Sequence, residues 1–247
     1  MSSDGQVLQL LRLPIYFLQR LQTMHLIDLS IGHTKPIVSG INLTLMPATF
    51  VCLTGRNGTG KSTLLKTLAG LIPPLHGRIL IDDIDLTTLS PIELAQQIGL
   101  VLTQMPDLPN TTLRELVAYG RLPYASWLGK LNDTDLQAAD LAIKQLGITA
   151  LADRKINQLS DGERQKTMIA RALAQGTQYL LLDEPSAFLD YESKQELMSL
   201  LVHLAHDEHK SILLSTHDLE LAHRYADTLW QIKEGKLTDT KPSSLTL

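Results

Sequence analysis

Cysteine, aromatic rings and surplus positive charge are all scarce in this sequence. Its single cysteine, Cys52, cannot close an intramolecular disulfide, and its place inside an apolar run points to a buried residue in a reducing compartment. Aromatic residues make up only 4% of the chain. With 22 Lys and Arg against 26 Asp and Glu, the net charge of −4 argues against nucleic acid as a partner and against a broad basic face for anionic membranes. Any phosphate binding must then be local. Long apolar runs are missing too: no segment reaches the roughly 18 uninterrupted apolar residues that span a bilayer, so membrane work would require partner chains. The nearest approach, residues 7–21, contains Arg12, Pro14, Gln19 and Arg20 and lacks a basic start and a small-residue cleavage site. It therefore fits neither a transmembrane helix nor a signal peptide, which leaves a surface-lying amphipathic segment or an extension ahead of a start at Met24.

What is present is an ordinary globular balance over 247 residues, 44% hydrophobic and 19% charged, consistent with one domain that is internally subdivided. Short apolar runs at residues 50–54, 78–81, 99–102, 179–182 and 211–215 read as buried strands, and most are followed by helical signals. Residues 228–238 read as a hairpin around Glu234 and Gly235. Ser90, Pro91 and Glu93 form a capping box with proline at the first helical position, and Thr112 with Glu115 suggests a second capped helix. Alternating strands and helices imply an α/β fold with a mainly parallel sheet, into which residues 106–159 insert as a helical stretch.

Residues Gly55, Arg56, Asn57, Gly58, Thr59, Gly60, Lys61 and Ser62 fit the GxxxxGK[ST] pattern between a predicted strand and a predicted helix. Glycine backbone lets amide N–H groups converge on phosphate oxygens, and the helix N-terminus adds partial positive charge. Lys61 would reach the β- and γ-phosphates; the Ser62 hydroxyl would ligate Mg2+, with Thr63 as a further donor. A second strand, residues 179–182, runs into Asp183 and Glu184, which places two carboxylates at the ligand-binding end of an open sheet. Asp183 is assigned to Mg2+, and Glu184 to orienting and polarising the attacking water.

Leu159, Ser160, Asp161, Gly162 and Glu163, continued by Gln165, resemble the LSGGE signature of ATP-binding cassette (ABC) proteins. By itself Ser160 with Glu163 is a capping box at the start of a helix whose positive end could hold a phosphate. The resemblance implies more: a P-loop, RecA-like core with an antiparallel β part and a helical subdomain, and ATP with Mg2+ sandwiched between two copies that dimerise on binding ATP. It also implies that Gln104 is the Q-loop glutamine that senses Mg2+ and γ-phosphate, that residues 186–190 are the D-loop, and that His217 is the switch histidine. The likeness covers residues 24–237, with an ATPase domain at 24–240 divided into a core (24–105 and 160–240) and the helical subdomain (106–159). Residues 1–23 form an extension.

Two departures stand out. Asp161 replaces the usual first glycine and brings a negative side chain near the anion. Ile31 occupies the position matched to the family's adenine-stacking aromatic, which predicts weaker adenine contact. Residues 116–123, with Gly120, Arg121 and Pro123, together with 159–166, look similar to importers of iron chelates, haem and cobalamin. The resemblance thus implies a cytoplasmic ATPase on the inner face of the cell membrane that drives polytopic permease subunits and, through them, acts with a substrate-binding protein. The alternatives are a non-transport ABC ATPase acting as a nucleotide-gated assembly factor, and a nucleotide-binding module without catalysis.

Overall fold

The computed structural model describes residues 22–103, 108 and 110–242. Its centre is a six-stranded sheet containing β3 (Phe50–Gly55), β6 (Ile98–Val101), β7 (Tyr179–Asp183), β8 (Ser211–Ser215), β9 (Thr228–Lys233) and β10 (Lys236–Thr240), in the order β10-β9-β3-β8-β7-β6. All neighbours are parallel except β9 and β10, whose hairpin turns at Glu234 and Gly235, both with positive φ. A second, antiparallel sheet, ordered β2-β1-β4-β5, is formed by β1 (Met24–Gly32), β2 (Pro36–Leu45), β4 (His76–Ile81) and β5 (Ile84–Asp85).

Alternation explains why the central strands read as continuous apolar runs. Phe50, Cys52, Leu180, Leu182, Ile212 and Leu214 face one core, whereas Val51, Leu53, Tyr179, Leu181 and Leu213 face another. The first core is closed by α3 (Leu113–Ala118), α4 (Asp133–Gln145), α5 (Asp161–Ala174), α6 (Tyr191–His206) and α7 (Leu219–Tyr225). Its buried side chains run without a break from the inserted helices to the sheet. The second core is closed by α1 (Lys61–Leu68) and the antiparallel sheet. The helix α2 (Pro91–Gln97) starts at the capping box on Ser90 and ends where Ile98 is already extended, so β6 begins one residue before the expected strand.

Ile31 corrects one expectation. Its exposure is 0%, and it packs in the second core, so it offers no surface to an adenine ring. The cause is a bulge in β1. Met24 and Leu26 point inward, Asp28 takes a left-handed φ of 45°, the pairing register shifts, and Leu29 and Ile31 then point inward instead of outward. Gly77 permits this bulge, because a Cβ there would lie 2.3 Å from the Asp28 carbonyl oxygen.

Candidate nucleotide site

The loop between β3 and α1 has left-handed or otherwise positive φ at Gly55, Gly58 and Gly60, conformations closed to most side chains. Thr59 fastens it by donating its hydroxyl to the Arg56 carbonyl at 2.8 Å. The Lys61 ammonium turns back to donate to the Gly55 carbonyl at 2.9 Å and is 7% exposed. First-turn amides of α1 have no acceptors inside the helix, and Gly60 at its cap has no side chain to supply one. They open, with Asn57, Gly58, Ser62, Thr63 and Glu184, onto a cleft of about 300 Å3 that Ile37 of β2 walls on one side.

Strand pairing brings Glu184 to this cleft and holds Asp183 buried beside it. Asp183 ends β7 opposite Ser215 of β8, whose hydroxyl donates to Asp183 Oδ1 at 2.7 Å. The Glu184 N–H donates to the same Ser215 Oγ at 2.9 Å. This bend gives Glu184 a φ of 49°, and its side chain meets two cationic or donor groups: Lys61 Nζ lies 3.5 Å from Oε1, and His217 Nδ1 donates to Oε2 at 2.7 Å. Thr103, at the end of the β6 connection, donates its hydroxyl to the Asp183 carbonyl at 3.0 Å. Gln104 lies outside the described residues.

The residues expected from sequence therefore divide into two places. Lys61, Ser62, Thr63 and Glu184 meet at the cleft, with Gly55, Arg56, Asn57, Gly58, Thr59 and Gly60 forming the loop's frame; His217 joins through its bond to Glu184, and Asp183 sits buried beside Glu184 on Ser215. Ser160, Asp161, Gly162 and Glu163 do not line that cleft; they begin α5. There the Ser160 N–H donates to the Glu163 carboxylate at 2.8 Å, which holds that carboxyl below its ordinary value, and the Glu163 N–H donates back to Ser160 Oγ. Asp161 is largely exposed and lies 3.5 Å from Arg164, so a cation from its own helix partly offsets its charge. Gly162 abuts residues 186–190: an added Cβ would sit 3.2 Å from the Phe188 carbonyl oxygen. Sequence reasoning missed Ser215, Thr103 and Ile37. Only Ser215 left a signal, in the register that an adjacent parallel strand would impose on Asp183.

The loop fits a polyphosphate by its glycine backbone, its amide cluster and its buried lysine. The Ser62 hydroxyl and the Asp183 carboxylate are hard oxygen donors suited to Mg2+. Among the described residues no group of three or more His, Cys, Asp or Glu could hold a metal without help, so phosphate oxygens and water would complete its shell.

A glycine loop closed on a buried lysine, with an acidic pair at the end of the second parallel strand along, defines a nucleotide-binding protein of the P-loop class. Comparison with known proteins narrows this. The family model described as "ABC transporter" matches residues 38–187. The achromobactin transport ATP-binding protein of Dickeya dadantii is 39% identical, over 81% of this chain and 75% of that one. The iron(3+)-hydroxamate import ATP-binding protein of Bacillus subtilis is 37% identical, over 84% and 78%. Among solved structures, a dimeric ATP-binding cassette in a post-hydrolysis state with ADP and Pi superposes with a TM-score of 0.78 at 28% identity, covering 90% of this chain and all of that one. The chain belongs to the ABC transporter family and is an ATPase of that family.

Proposed function

We propose that this chain hydrolyses Mg2+-ATP between two copies of itself to drive import of an iron chelate, or a related metal-bearing ligand such as haem or cobalamin, through a polytopic permease. The relatives named for achromobactin and iron(3+)-hydroxamate support the cargo class. A substrate-binding protein would deliver that cargo, and the ATPase would sit on the inner face of the membrane. No helix among the described residues is long and apolar enough to cross a bilayer.

One observation carries the hydrolytic reading: Glu184 stands between Lys61 and His217 at the mouth of the phosphate loop. A γ-phosphate entering there competes with Glu184 for the Lys61 ammonium, and a carboxylate released from the lysine is free to accept a proton from water. Mg2+ would neutralise charge on the phosphates from the side of Ser62 and Asp183. His217 would then donate to a phosphate oxygen, and Gln104 would join from its flanking loop. Ser160 begins α5 away from its own chain's cleft, where its hydroxyl and the amides of α5 suit the γ-phosphate of a second copy. The helical stretch 106–159 would transmit the closure as a subdomain.

The surface assigned to the permease is a second, larger cleft of about 1030 Å3, walled by Leu71, Leu94, Leu100, Tyr119, Leu122 and Met168. It is mainly apolar, as a docking groove for a protein segment requires.

Glu184→Gln tests the core of this reading. ATP hydrolysis should fall by about 100-fold or more while ATP affinity is retained, and the variant should elute as a dimer only with ATP. Unchanged turnover would reduce the chain to a nucleotide-binding module. Recovery of the dimer with Ser160→Arg in the same background would remove the sandwich.

A further inference from the structure

We infer that the turn carrying Trp127 and Leu128 is a lipid-contacting tip that enters the headgroup layer beside the permease. This inference rests on the reading that the chain works against a membrane protein. Trp127 is 92% exposed and Leu128 59%. Four of the fifteen exposed large hydrophobics among the described residues, Tyr119, Leu122, Trp127 and Leu128, fall within ten positions, so the exposure is clustered rather than scattered.

The tip is held in shape. The Ser126 N–H donates to the Lys130 carbonyl at 3.1 Å, the Gly129 N–H donates to the Ser126 carbonyl at 2.8 Å, and the Lys130 N–H donates to Ser126 Oγ at 3.2 Å. Gly129, with a φ of 72°, allows the reversal. Two neighbouring apolar side chains are therefore presented by a closed turn, without the entropy a flexible loop would lose on binding.

The chemistry favours lipid. The tip projects as a knob, whereas peptide ligands are held in grooves that surround their side chains. Indole combines an apolar body with an N–H donor, the combination that settles at headgroup depth. Lys130 can extend its methylenes along the tip and place its ammonium at a lipid phosphate. Between Leu116 and Asn132 the chain has no acidic residue, although its net charge is −4, so the attraction is confined to this tip and needs no broad basic face. Position agrees: the same stretch begins in the 3-10 segment Tyr119–Tyr124, whose Tyr119 and Leu122 wall the cleft assigned to the permease.

Fluorescence isolates the tip, because the only other tryptophan, Trp230, is 1% exposed. Full-length protein is titrated with vesicles of phosphatidylethanolamine and phosphatidylglycerol, and in parallel with brominated lipid. The expected result is a blue shift of Trp127 emission and quenching by the brominated chains. Leu128→Ser and Lys130→Gln should each weaken vesicle binding about fivefold, and Trp127→Ser should abolish the emission change while ATP hydrolysis is unaltered. Unchanged emission with every vesicle overturns the inference, as does a shift that requires purified permease in the vesicle, which would make the tip a protein contact. If the transport reading alone fails, no permease co-purifies yet the vesicle response persists.

Discussion

Glu184 holds a left-handed backbone that costs a non-glycine residue roughly 1–3 kcal/mol, and its surroundings show what offsets it: the Ser215 hydroxyl under its N–H and His217 on its carboxylate. Strain at this residue aims the carboxylate across the cleft at Lys61 instead of along β7. Ile31 is the opposite case, a residue whose position along the chain suggested a nucleotide contact while its side chain lies in the core. Replacing it with Tyr adds a ring to a fully buried site, which should destabilise the protein by about 1–3 kcal/mol. The affinity for ATP should be unchanged. Urea unfolding and a nucleotide titration check both halves, and a stable variant that binds ATP more tightly would restore Ile31 to the site. The loop and the acidic pair could be read directly from the sequence, because each motif is contiguous and its chemistry depends on neighbours along the chain. Ser215 serves the Asp183 carboxylate and the Glu184 N–H, yet it lies 32 residues from Asp183 and is brought there only by strand register.

Among the elements, α5 connects the most. Its first turn carries Ser160 to Glu163, and its last turn is gripped by Arg121, which donates to the Ala174 and Gln175 carbonyls at 3.0 and 3.2 Å and pairs with Asp135 of α4 at 3.0 Å. Gly120 beside it is obligatory, since a Cβ would lie 2.2 Å from the Arg171 carbonyl oxygen. The Gly-Arg pair, visible in the sequence only as a pattern, thus ties the wall of the larger apolar cleft to the helix that carries Ser160. Arg121→Ala should cost about 3–5 kcal/mol, because Asp135, 3% exposed, keeps a buried charge without its cation. Converting the pair together, Arg121→Met with Asp135→Leu, should recover much of that loss in urea unfolding; equal losses in both variants would show that the carbonyl bonds, not the ion pair, dominate. The doubly buried strands β3, β7 and β8 and the capped helices α2, α3 and α5 were legible because their signals are local: uninterrupted apolar runs, and Ser or Thr three residues before Glu. The strands β1 and β2 carried no such signal. The bulge at Asp28 breaks the alternation that would have marked β1, and half of β2 is exposed.

At the scale of the whole molecule, the sheet divides two apolar cores, and the phosphate loop leaves it on the side closed by α1 while α5 packs on the other. Nucleotide chemistry and the helical stretch are therefore separated by the sheet and by the carboxylates at its end. Helices on both sides are fastened by acidic caps. Glu93 is held below its ordinary value by the Ser90 side chain, Glu115 by the Thr112 N–H, Glu163 by the Ser160 N–H and Asp190 by the Ser193 N–H. A carboxyl with a folded-state value below its unfolded one stabilises the fold above the unfolded value and loses that contribution as pH falls through the folded one. The ordinary values here are 4.5 for Glu and 3.8 for Asp. The urea midpoint should therefore be level from about pH 7 to about pH 5 and decline once pH drops below 4.5, with all four helix starts weakening together. A variant with Glu93, Glu115 and Glu163 changed to Gln and Asp190 to Asn should begin from a lower midpoint and decline less steeply, since uncharged caps have no proton to gain. Parallel declines in the two proteins would assign acid sensitivity to other carboxyls.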